Sequence, residues 1–495
     1  MVFSSLIFIY IFLPILLLFY FVIKNDSWRR GILLVFSLVF YAWGEPVYIL
    51  LMLFSAVCNY VFGILVGSER KPVTRKIAVT LGIIVNLALL GVFKYAGFAV
   101  ETVNAALGLA LPVPAIILPL GISFYTFQAM TYVIDVYWEN SQPQKSFPRL
   151  LLFITFFPQL VAGPIVRYTD IADQMENRRV SAQKINDGLY RFAIGLGKKV
   201  VLANTCALAT ENLFASVAGP TVLGSWSGTL FYAFQIYFDF SGYSDMAIGL
   251  GNIFGFDFPE NFNYPYLSKN ITEYWRRWHM TLGSWFRDYL FYPVMRSKGI
   301  TKLSKKLKSN GHKAAAKALP TIIALAVVWF STGLWHGANW NYVLWGVYYG
   351  FWLIAEKFVL EKFYKKHAGL LTDILQRVSF VFITLVGFAI FYHETKLFAN
   401  LGYLFGVGTA GLLNPYATSM LYENGILLIV ALFCSLPVAK TALEALHGKI
   451  QASMGESAAY TIERVFKTIV VIVLFALCTV RLAGDSYNPF IYFKF

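Results

Sequence analysis

Apolar runs recur along almost the whole of this chain of 495 residues. The first covers residues 5–23, and further runs follow near residues 31–43, 47–66, 77–96, 114–134, 149–166, 190–206, 222–256, 318–333, 341–358, 378–393, 397–412, 424–440 and 465–482. A helix needs about 20 mainly apolar residues to cross a bilayer. Several runs are shorter or interrupted by glycine and proline, and such irregular backbone is tolerated at membrane depth only under a cover of protein or a wet cavity. We therefore expect an all-α integral membrane protein with about 11 spans and one or more re-entrant segments.

The composition narrows the class further. Hydrophobic residues make up 58% of the chain and charged residues 14%, whereas soluble globular proteins have roughly 45–50% and 25%. This apolar excess excludes a soluble enzyme, a disordered chain and a nucleic-acid-binding domain. The four cysteines lie far apart without a CxxC pair and are interpreted as packing residues. We see no repeat or low-complexity linker, so residues 1–495 are expected to form a single integral-membrane domain.

Basic loops predict how the chain is oriented. Lys24, Arg29 and Arg30 follow the first apolar run, whereas the turn at residues 43–46 carries no basic residue. Because basic loops remain in the cytoplasm, the N-terminus is predicted to lie outside. No small-residue cleavage site follows the first run, which is therefore expected to be an uncleaved span.

The most basic stretch covers residues 296–317 and contains eight lysines and arginines but no acidic residue. One interpretation is a cytoplasmic loop that lies on anionic lipid. A second is that the same loop also attracts an anionic cytoplasmic donor, such as a coenzyme A thioester. The sequence leaves both interpretations open.

Two of the six histidines lie in segments that suggest chemistry. His336 lies in STGLWHGANW (residues 331–340), and His279 lies in EYWRRWHMT (residues 273–281). A neutral imidazole in apolar surroundings accepts a proton from a hydroxyl and returns it to a leaving group. For each histidine the alternative is a hydrogen-bonded structural role.

Charged residues near these histidines are further candidates, because charges inside apolar sequence are costly. Asp239 and Asp245 lie six positions apart in QIYFDFSGYSD (residues 235–245). One interpretation is a catalytic acid pair. The alternative is that the aspartates are hydrogen-bonded internally or paired with one of three arginines, which are themselves candidates for positioning an anionic group: Arg276, Arg277 and Arg287. No histidine or cysteine stands at ligand spacing, so no metal site is predicted. The chain also lacks a Walker A motif, a dinucleotide glycine fingerprint, an HExxH motif and a GxSxG elbow.

Several of these segments together resemble the membrane-bound O-acyltransferase (MBOAT) family, and within it the alginate O-acetyltransferase branch. The similar segments are residues 119–128, 156–167, 235–249, 258–266, 275–279 and 333–340, and they cover most of a core at about residues 90–350. The resemblance implies a ring of tilted helices around a thin centre, with a funnel or tunnel that joins the two faces. It assigns His336 to the family's invariant histidine and His279 to its second histidine.

The resemblance also implies the reaction and the partners. A cytoplasmic acyl thioester, with acetyl-CoA as the expected donor and no tightly bound cofactor, would supply an acetyl group for O-acetylation of a cell-envelope or secreted polysaccharide. His336 would act as general base, and Asn339 and Trp335 are candidates, by position alone, for stabilising the oxyanion. A periplasmic partner acetyltransferase and a bacterial inner-membrane location are expected. Candidate acceptors are alginate, peptidoglycan, cellulose or another exopolysaccharide.

The aromatic tail NPFIYFKF (residues 488–495) resembles the C-terminal motif of the same branch. One hypothesis is that the Tyr492 hydroxyl reaches His336 and carries the acyl group as a covalent relay. The alternative is an interfacial aromatic anchor. Other functions also remain open, namely a D-alanyl transferase that uses a carrier-protein thioester, a non-catalytic acyl-group transporter, and a scaffold for a soluble transferase.

Overall fold

The computed structural model describes residues 1–216, 218–484 and 490–491. Every regular element in this part of the chain is a helix. The first half contains α1 (Leu13–Val22), α2 (Asp26–Gly44), α3 (Ile49–Leu65), α4 (Pro72–Leu90), α5 (Ala96–Leu107), α6 (Ile122–Tyr137), α7 (Phe147–Thr155), α8 (Phe157–Leu160), α9 (Tyr168–Ile171), α10 (Ala182–Gly197), α11 (Asn204–Phe214) and α12 (Val222–Ile253).

The second half contains α13 (Ile271–Arg277), α14 (Met280–Phe286), α15 (Tyr292–Met295), α16 (Lys298–Ser309), α17 (Lys313–His336), α18 (Trp340–Ala355), α19 (Glu361–Lys366), α20 (Leu370–Tyr392), α21 (Leu397–Leu404), α22 (Pro415–Glu423), α23 (Gly425–Cys434), α24 (Val438–Met454) and α25 (Glu456–Gly484). Short π-helical segments adjoin some of these helices: Phe8–Phe12, Gly91–Tyr95, Lys198–Ala203, Arg287–Phe291 and Glu356–Leu360. Pro265–Leu267 forms a 3-10 turn.

The prediction of an all-helical membrane protein is confirmed, whereas the predicted number of spans is not. Six helices among the described residues are long and apolar enough to cross a bilayer: Pro72–Leu107, Ala182–Phe214, Lys313–His336, Trp340–Lys366, Leu370–Tyr392 and Glu456–Gly484. The bent pair α22 and α23, with 50° between its helices, provides a seventh candidate if it acts as one span. The count of about 11 spans and the funnel remain predictions.

The apolar run at 149–166 does not form one continuous helix. It is divided into α7 and α8, and the backbone that follows at 161–166 is non-helical although its side chains are buried. Pro158 lies in the first turn of α8, where a proline is accepted because its missing N–H would have no partner within the helix. The chain therefore starts a new short helix there, and the buried irregular segment resembles the re-entrant piece that the sequence predicts.

The described residues divide into two compact units, each assembled from distant parts of the chain. The first comprises Met1–Val201, Phe240–Glu260 and Val465–Phe495, within the limits of the described residues. The second comprises Leu202–Asp239 and Asn261–Arg464. Helix α12 therefore contributes its first part to the second unit and its last part to the first unit.

In the first unit, α10 and the last part of α12 approach each other closely at glycines. A Cβ on Gly195 would lie 2.5 Å from the carbonyl oxygen of Gly242, and a Cβ on Gly242 would lie 2.7 Å from that of Gly195. Gly188 and Gly249 form a second reciprocal contact, at 2.6 Å in each direction. Small residues allow such backbone contact between membrane helices, so these four glycines set the distance between the two helices.

In the second unit, α17 and α18 form a hairpin whose backbones touch. A Cβ on Gly346 of α18 would lie 2.3 Å from the Trp329 carbonyl oxygen of α17, and a Cβ on Gly333 would lie 2.4 Å from that of Tyr342. The basic helix α16 packs beside α17, where the Ser304 hydroxyl donates to the Ala316 carbonyl at 2.7 Å. The turn between α17 and α18 places the His336 segment at the end of this hairpin.

Candidate active site

His336 is the last residue of α17, and its position follows from how the helix ends. Gly337 adopts an extended conformation with φ −168° and ψ 154°, which terminates the helix. Two residues later, Asn339 begins α18 as its N-cap, and its side-chain oxygen accepts from the backbone N–H of Asn341 at 3.4 Å. The side chain of His336 is thus held between two rigid helices.

Aromatic rings surround the imidazole of His336, which is only 6% exposed. Its ring centroid lies 5.1 Å from Trp335, 4.9 Å from Trp345 and 5.2 Å from Phe391, with interplanar angles of 77–83°. Edge-to-face contacts at these distances fix the orientation of a ring.

His279 lies between α13 and α14, outside the candidate spanning helices, and is 2% exposed. Its Nδ1 contacts the side-chain oxygen of Asn261 at 3.0 Å. The same oxygen accepts from the Thr281 hydroxyl at 2.8 Å. Burial lowers the pKa of His279 well below its ordinary value, and the charge of His336 acts in the same direction. His279 is therefore neutral at physiological pH.

The backbone of His279 has an unusual conformation. Its φ of 44° and ψ of 52° lie in the left-handed region, which costs a residue other than glycine about 1–3 kcal/mol. Two backbone hydrogen bonds hold the segment in place, from Met280 N–H to the Asn261 carbonyl at 3.0 Å and from Asn263 N–H to the Arg277 carbonyl at 2.9 Å. The surrounding contacts therefore maintain a strained backbone next to a candidate functional group.

Both histidines contact the indole of Trp335, whose centroid lies 5.8 Å from the ring of His279 and 5.1 Å from that of His336. The structure thus brings together the two histidines and the tryptophan that the sequence singles out. Asn339 caps α18 as described above, and the structure does not test the oxyanion role predicted for Asn339 and Trp335.

The three predicted arginines do not converge on the histidines. Arg276 is exposed. Arg277 donates to Glu273 at 2.8 Å and to the Asn263 carbonyl at 3.2 Å, so it supports the loop beside His279. Arg287 forms an ion pair with Asp288 at 2.8 Å, and its side chain is 56% exposed. Any role of these residues in binding an anionic group remains a prediction.

The two aspartates do not form a pair. Both lie on α12, but six residues amount to about one and two-thirds helical turns, so their side chains leave the helix in different directions. Asp239 is buried in the second unit. Asp245 belongs to the first unit, where it accepts from Lys198 at 2.7 Å and from Arg191 at 3.0 Å. Its expected pairing with an arginine at 276, 277 or 287 is wrong, because two nearer cations on the α10 helix and its continuation neutralise it.

Tyr492 and most of the aromatic tail lie outside the described residues. Phe490, in the same tail, is 1% exposed and packs against Tyr243 with 4.9 Å between centroids. The ammonium of Lys199 lies 4.8 Å from the Phe490 ring centroid, a cation–π contact. The tail therefore enters the buried part of the first unit at Phe490.

Two buried asparagines at the site were not predicted as functional residues. Asn261 enters the sequence analysis only within the similar segment 258–266, and its side-chain oxygen contacts Nδ1 of His279. Asn341 donates to the Phe391 carbonyl at 2.9 Å and so ties the start of α18 to the end of α20 beside His336. The available signal was an amide in apolar sequence, which is costly to bury unless it is hydrogen-bonded.

Among the described residues, no group of three His, Cys, Asp or Glu side chains could hold a metal ion.

These features define the class: a multi-helix membrane protein with two buried histidines placed around one indole and suited to proton transfer. The chain belongs to the MBOAT, membrane-bound O-acyltransferase, family, whose model matches residues 140–390. It is accordingly an O-acyltransferase, as the resemblance predicted.

Three relatives show how far the similarity extends. A protein named probable alginate O-acetylase AlgI from Azotobacter vinelandii is 36% identical over 100% of both chains. A peptidoglycan O-acetyltransferase from Helicobacter pylori is 33% identical over 82% of this chain and 80% of its own. A teichoic acid D-alanyltransferase from Bacillus subtilis is 30% identical over 55% of this chain and 68% of its own.

Proposed function

We propose that the chain transfers an acetyl group from a cytoplasmic thioester donor, acetyl-CoA, across the membrane for O-acetylation of a cell-envelope or secreted polysaccharide. The observation that carries the proposal is the placement of His279 and His336 around Trp335 in a member of this family. The full-length similarity to proteins named as O-acetylases supports the acetyl group. The names of these relatives support a polysaccharide acceptor.

The transfer forms one bond and breaks one bond. The acceptor hydroxyl oxygen forms a bond to the acyl carbon, and the carbon–sulfur bond of the thioester breaks. A neutral imidazole takes the hydroxyl proton and then returns it to the leaving thiolate. His336, held edge-on by Trp345 and Phe391, is the proposed general base. The apolar surroundings exclude water, which would otherwise compete with the acceptor hydroxyl.

The proposed arrangement in the cell follows from the charge pattern. We place the chain in a bacterial inner membrane with its N-terminus outside and with about 11 spans around a funnel. The donor would enter from the side of the basic helix α16, and a periplasmic partner acetyltransferase would complete delivery to the polymer. The acceptor is alginate, peptidoglycan, cellulose or another exopolysaccharide.

The second candidate function is D-alanyl transfer from a carrier-protein thioester. Its support is the similarity to the Bacillus subtilis enzyme, which covers 55% of this chain. The acetyl proposal has the stronger support, because the Azotobacter vinelandii relative matches over 100% of the chain at higher identity. A transporter of acyl groups is the alternative outside enzymes, and it requires no proton transfer by histidine.

The test is donor turnover by the purified, reconstituted chain with radiolabelled acetyl-CoA. His336→Gln replaces the imidazole by a planar amide that cannot act as a base. We expect turnover to fall by about 10²–10⁴-fold. His367→Gln, in an exposed loop, is the matched control and should retain full turnover. Equal turnover by His336→Gln would reject the proposed base, and consumption of a carrier-protein thioester alone would favour D-alanyl transfer.

The same experiment tests separately whether Tyr492 acts as a covalent relay. If its hydroxyl carries the acyl group, wild-type protein becomes labelled and Tyr492→Phe does not. Label on a trapped partner or polymer, with none on the wild-type chain, favours direct transfer. Full transfer by Tyr492→Phe rejects the relay and leaves the tail as an anchor.

A further inference from the structure

We propose that Asn261 is a positioning residue that holds His279 as its Nδ1-protonated tautomer, so that the neutral ring offers the Nε2 lone pair as a hydrogen-bond acceptor while His336 acts as the base in acyl transfer. The inference rests on the proposed function and deepens it. It assigns a role to a residue in the helix-free segment before α13.

The tautomer follows from the hydrogen bonds at one oxygen. The Thr281 backbone N–H, which can only donate, faces the Asn261 side chain at 3.4 Å, so the atom it faces must be the amide oxygen. The Thr281 hydroxyl donates to the same oxygen at 2.8 Å. Because this oxygen carries no proton, Nδ1 of His279, 3.0 Å away, must supply the hydrogen between them. A neutral imidazole has one N–H, so Nε2 keeps its lone pair.

The contact is held firmly from both sides. Asn261 is fully buried, and its backbone carbonyl accepts from the Met280 N–H at 3.0 Å. The main chain and the side chain of one residue thus fix residues 279–281. The left-handed backbone of His279, with φ 44°, directs the ring to this amide. The ring cannot exchange its two nitrogens without losing the Asn261 bond.

An amide suits this position because it orients the ring without favouring its charged form. A carboxylate at the same place would stabilise the imidazolium and raise the pKa of His279. Among the groups that face His279, His336 opposes protonation, because two protonated imidazoles would repel each other. The nearby cation of Arg277 is engaged by Glu273 and by the Asn263 carbonyl. The surroundings therefore keep His279 neutral while Asn261 selects its tautomer.

Asn261→Asp is the decisive variant, and the measurement is the pH dependence of kcat/KM for acetyl transfer. The new carboxylate raises the pKa of His279, so His279 stays protonated, and its Nε2 lone pair stays occupied, up to a higher pH. We expect the acid limb of the kcat/KM profile, where activity rises with pH, to move upward by about one to three pH units. Activity should recover at alkaline pH. Asn263→Asp is the matched control, because it makes the same change on an exposed residue of the same loop and should leave the limb in place. An unmoved limb in Asn261→Asp would overturn the proposal.

Thr281 variants test the hydrogen-bond network around the amide. Thr281→Ser keeps the hydroxyl and should keep kcat. Thr281→Val removes the hydroxyl with little change in volume and should lower kcat several-fold with KM unchanged, because the Asn261 amide oxygen loses the hydroxyl that donates to it. Equal losses of kcat in both variants, or a change confined to KM, would contradict a positioning role.

The tautomer has a readout that does not require activity. In protein labelled with ¹⁵N-histidine and reconstituted in lipid, the His279 signals are identified by their absence from His279→Gln. We expect a protonated Nδ1 and an unprotonated Nε2 at neutral pH. The opposite tautomer would overturn the inference even if transfer occurs. If the protein shows the expected tautomer but transfers no acetyl group, the proposed function is rejected. The assignment of the tautomer then still holds.

Discussion

The side-chain amide of Asn341 donates to the backbone carbonyl of Phe391 at 2.9 Å and thereby joins the beginning of α18 to the end of α20. Asn341 is 2% exposed, and its amide also lies 3.4 Å from the Ile390 carbonyl. The ring of Phe391 packs on His336 with 5.2 Å between centroids. One amide therefore links the packing of two helices to the position of the candidate base.

Asn341→Ala should destabilise the protein and lower its activity. The variant leaves two buried carbonyls without their donor, which costs about 1–3 kcal/mol. Unfolding in detergent, followed by circular dichroism, measures this loss, and turnover measures the effect on His336. Asn400→Ala is the control, because the amide of Asn400 on α21 donates to the exposed Thr395 carbonyl before that helix, and its loss should change stability by less than about 1 kcal/mol. Equal stability of the two variants would contradict the role of Asn341.

Gly346→Ala should be poorly tolerated. The added methyl group would lie 2.3 Å from the Trp329 carbonyl oxygen, so α17 and α18 would have to separate. Overpacking of this kind costs about 1–3 kcal/mol and would move the two helices that hold His336. Gly31→Ala, inside α2 and with no heavy atom within 4 Å of the new methyl group, should be neutral or slightly stabilising. The melting temperatures of both variants in detergent check the prediction, which fails if Gly346→Ala melts with the wild type.

Asp245→Asn should impair folding, because Arg191 and Lys198 would lose the carboxylate between them. Removing one partner of a buried ion pair costs about 3–5 kcal/mol. The Asp245 side chain is 15% exposed, whereas Asp257, which pairs with Lys184, is 63% exposed. Asp257→Asn is thus the control and should cost less than about 1 kcal/mol.

The yield of folded protein and its unfolding midpoint measure the difference between the two aspartate variants. Addition of Lys198→Gln to Asp245→Asn should recover part of the loss, because it removes one of the two cations that the carboxylate neutralises. A stable Asp245→Asn protein without activity would instead support a catalytic aspartate.

Replacing four lysines of α16 by glutamine separates the two interpretations of the basic stretch. The four lysines are Lys302, Lys305, Lys306 and Lys308. All of them are exposed, and no acidic residue occurs between positions 288 and 356. If these charges attract the donor, KM for acetyl-CoA should rise several-fold at low ionic strength, kcat should stay the same, and the difference should vanish at high salt.

The control for the α16 lysines is Lys440→Gln with Lys449→Gln on the exposed helix α24. Steady-state kinetics in liposomes of neutral and of anionic lipid provide the measurement. An unchanged KM, together with a loss of activity only in anionic liposomes, would assign α16 to the lipid surface and exclude attraction of the donor.

The sequence predicted those features that depend on local pattern. Long apolar helices such as α17 and α20 follow from their length and composition. His336 was found because its segment combines two glycines, two tryptophans and one titratable group. The break of the run at 149–166 was also accessible, because Pro158 favours a helix start over a helix interior.

The remaining features depend on contacts between distant parts of the chain. Asp245 is neutralised by Arg191, which lies 54 positions earlier, and no local pattern identifies that partner. Asn341 reaches a carbonyl 50 positions away, so its role appears only when α18 and α20 pack. The bond from Asn261 to His279 spans 18 positions across an irregular loop, where helical periodicity gives no guidance.

The first unit has a consequence for how the protein is made. Its helix α10 packs with α25, which follows much later in the sequence, through the ion pair of Asp187 with Lys467 at 2.7 Å and the stacked rings of Phe192 and Phe475. A ribosome synthesises chains from the N-terminus at roughly 5–20 residues per second, so α10 enters the bilayer tens of seconds before its partner exists. During that interval the exposed glycine and charged surfaces of α10 need protection by the insertion machinery. Synthesis that slows near residue 465 would therefore prolong the interval in which α10 lacks its partner, and truncation there would make that state permanent.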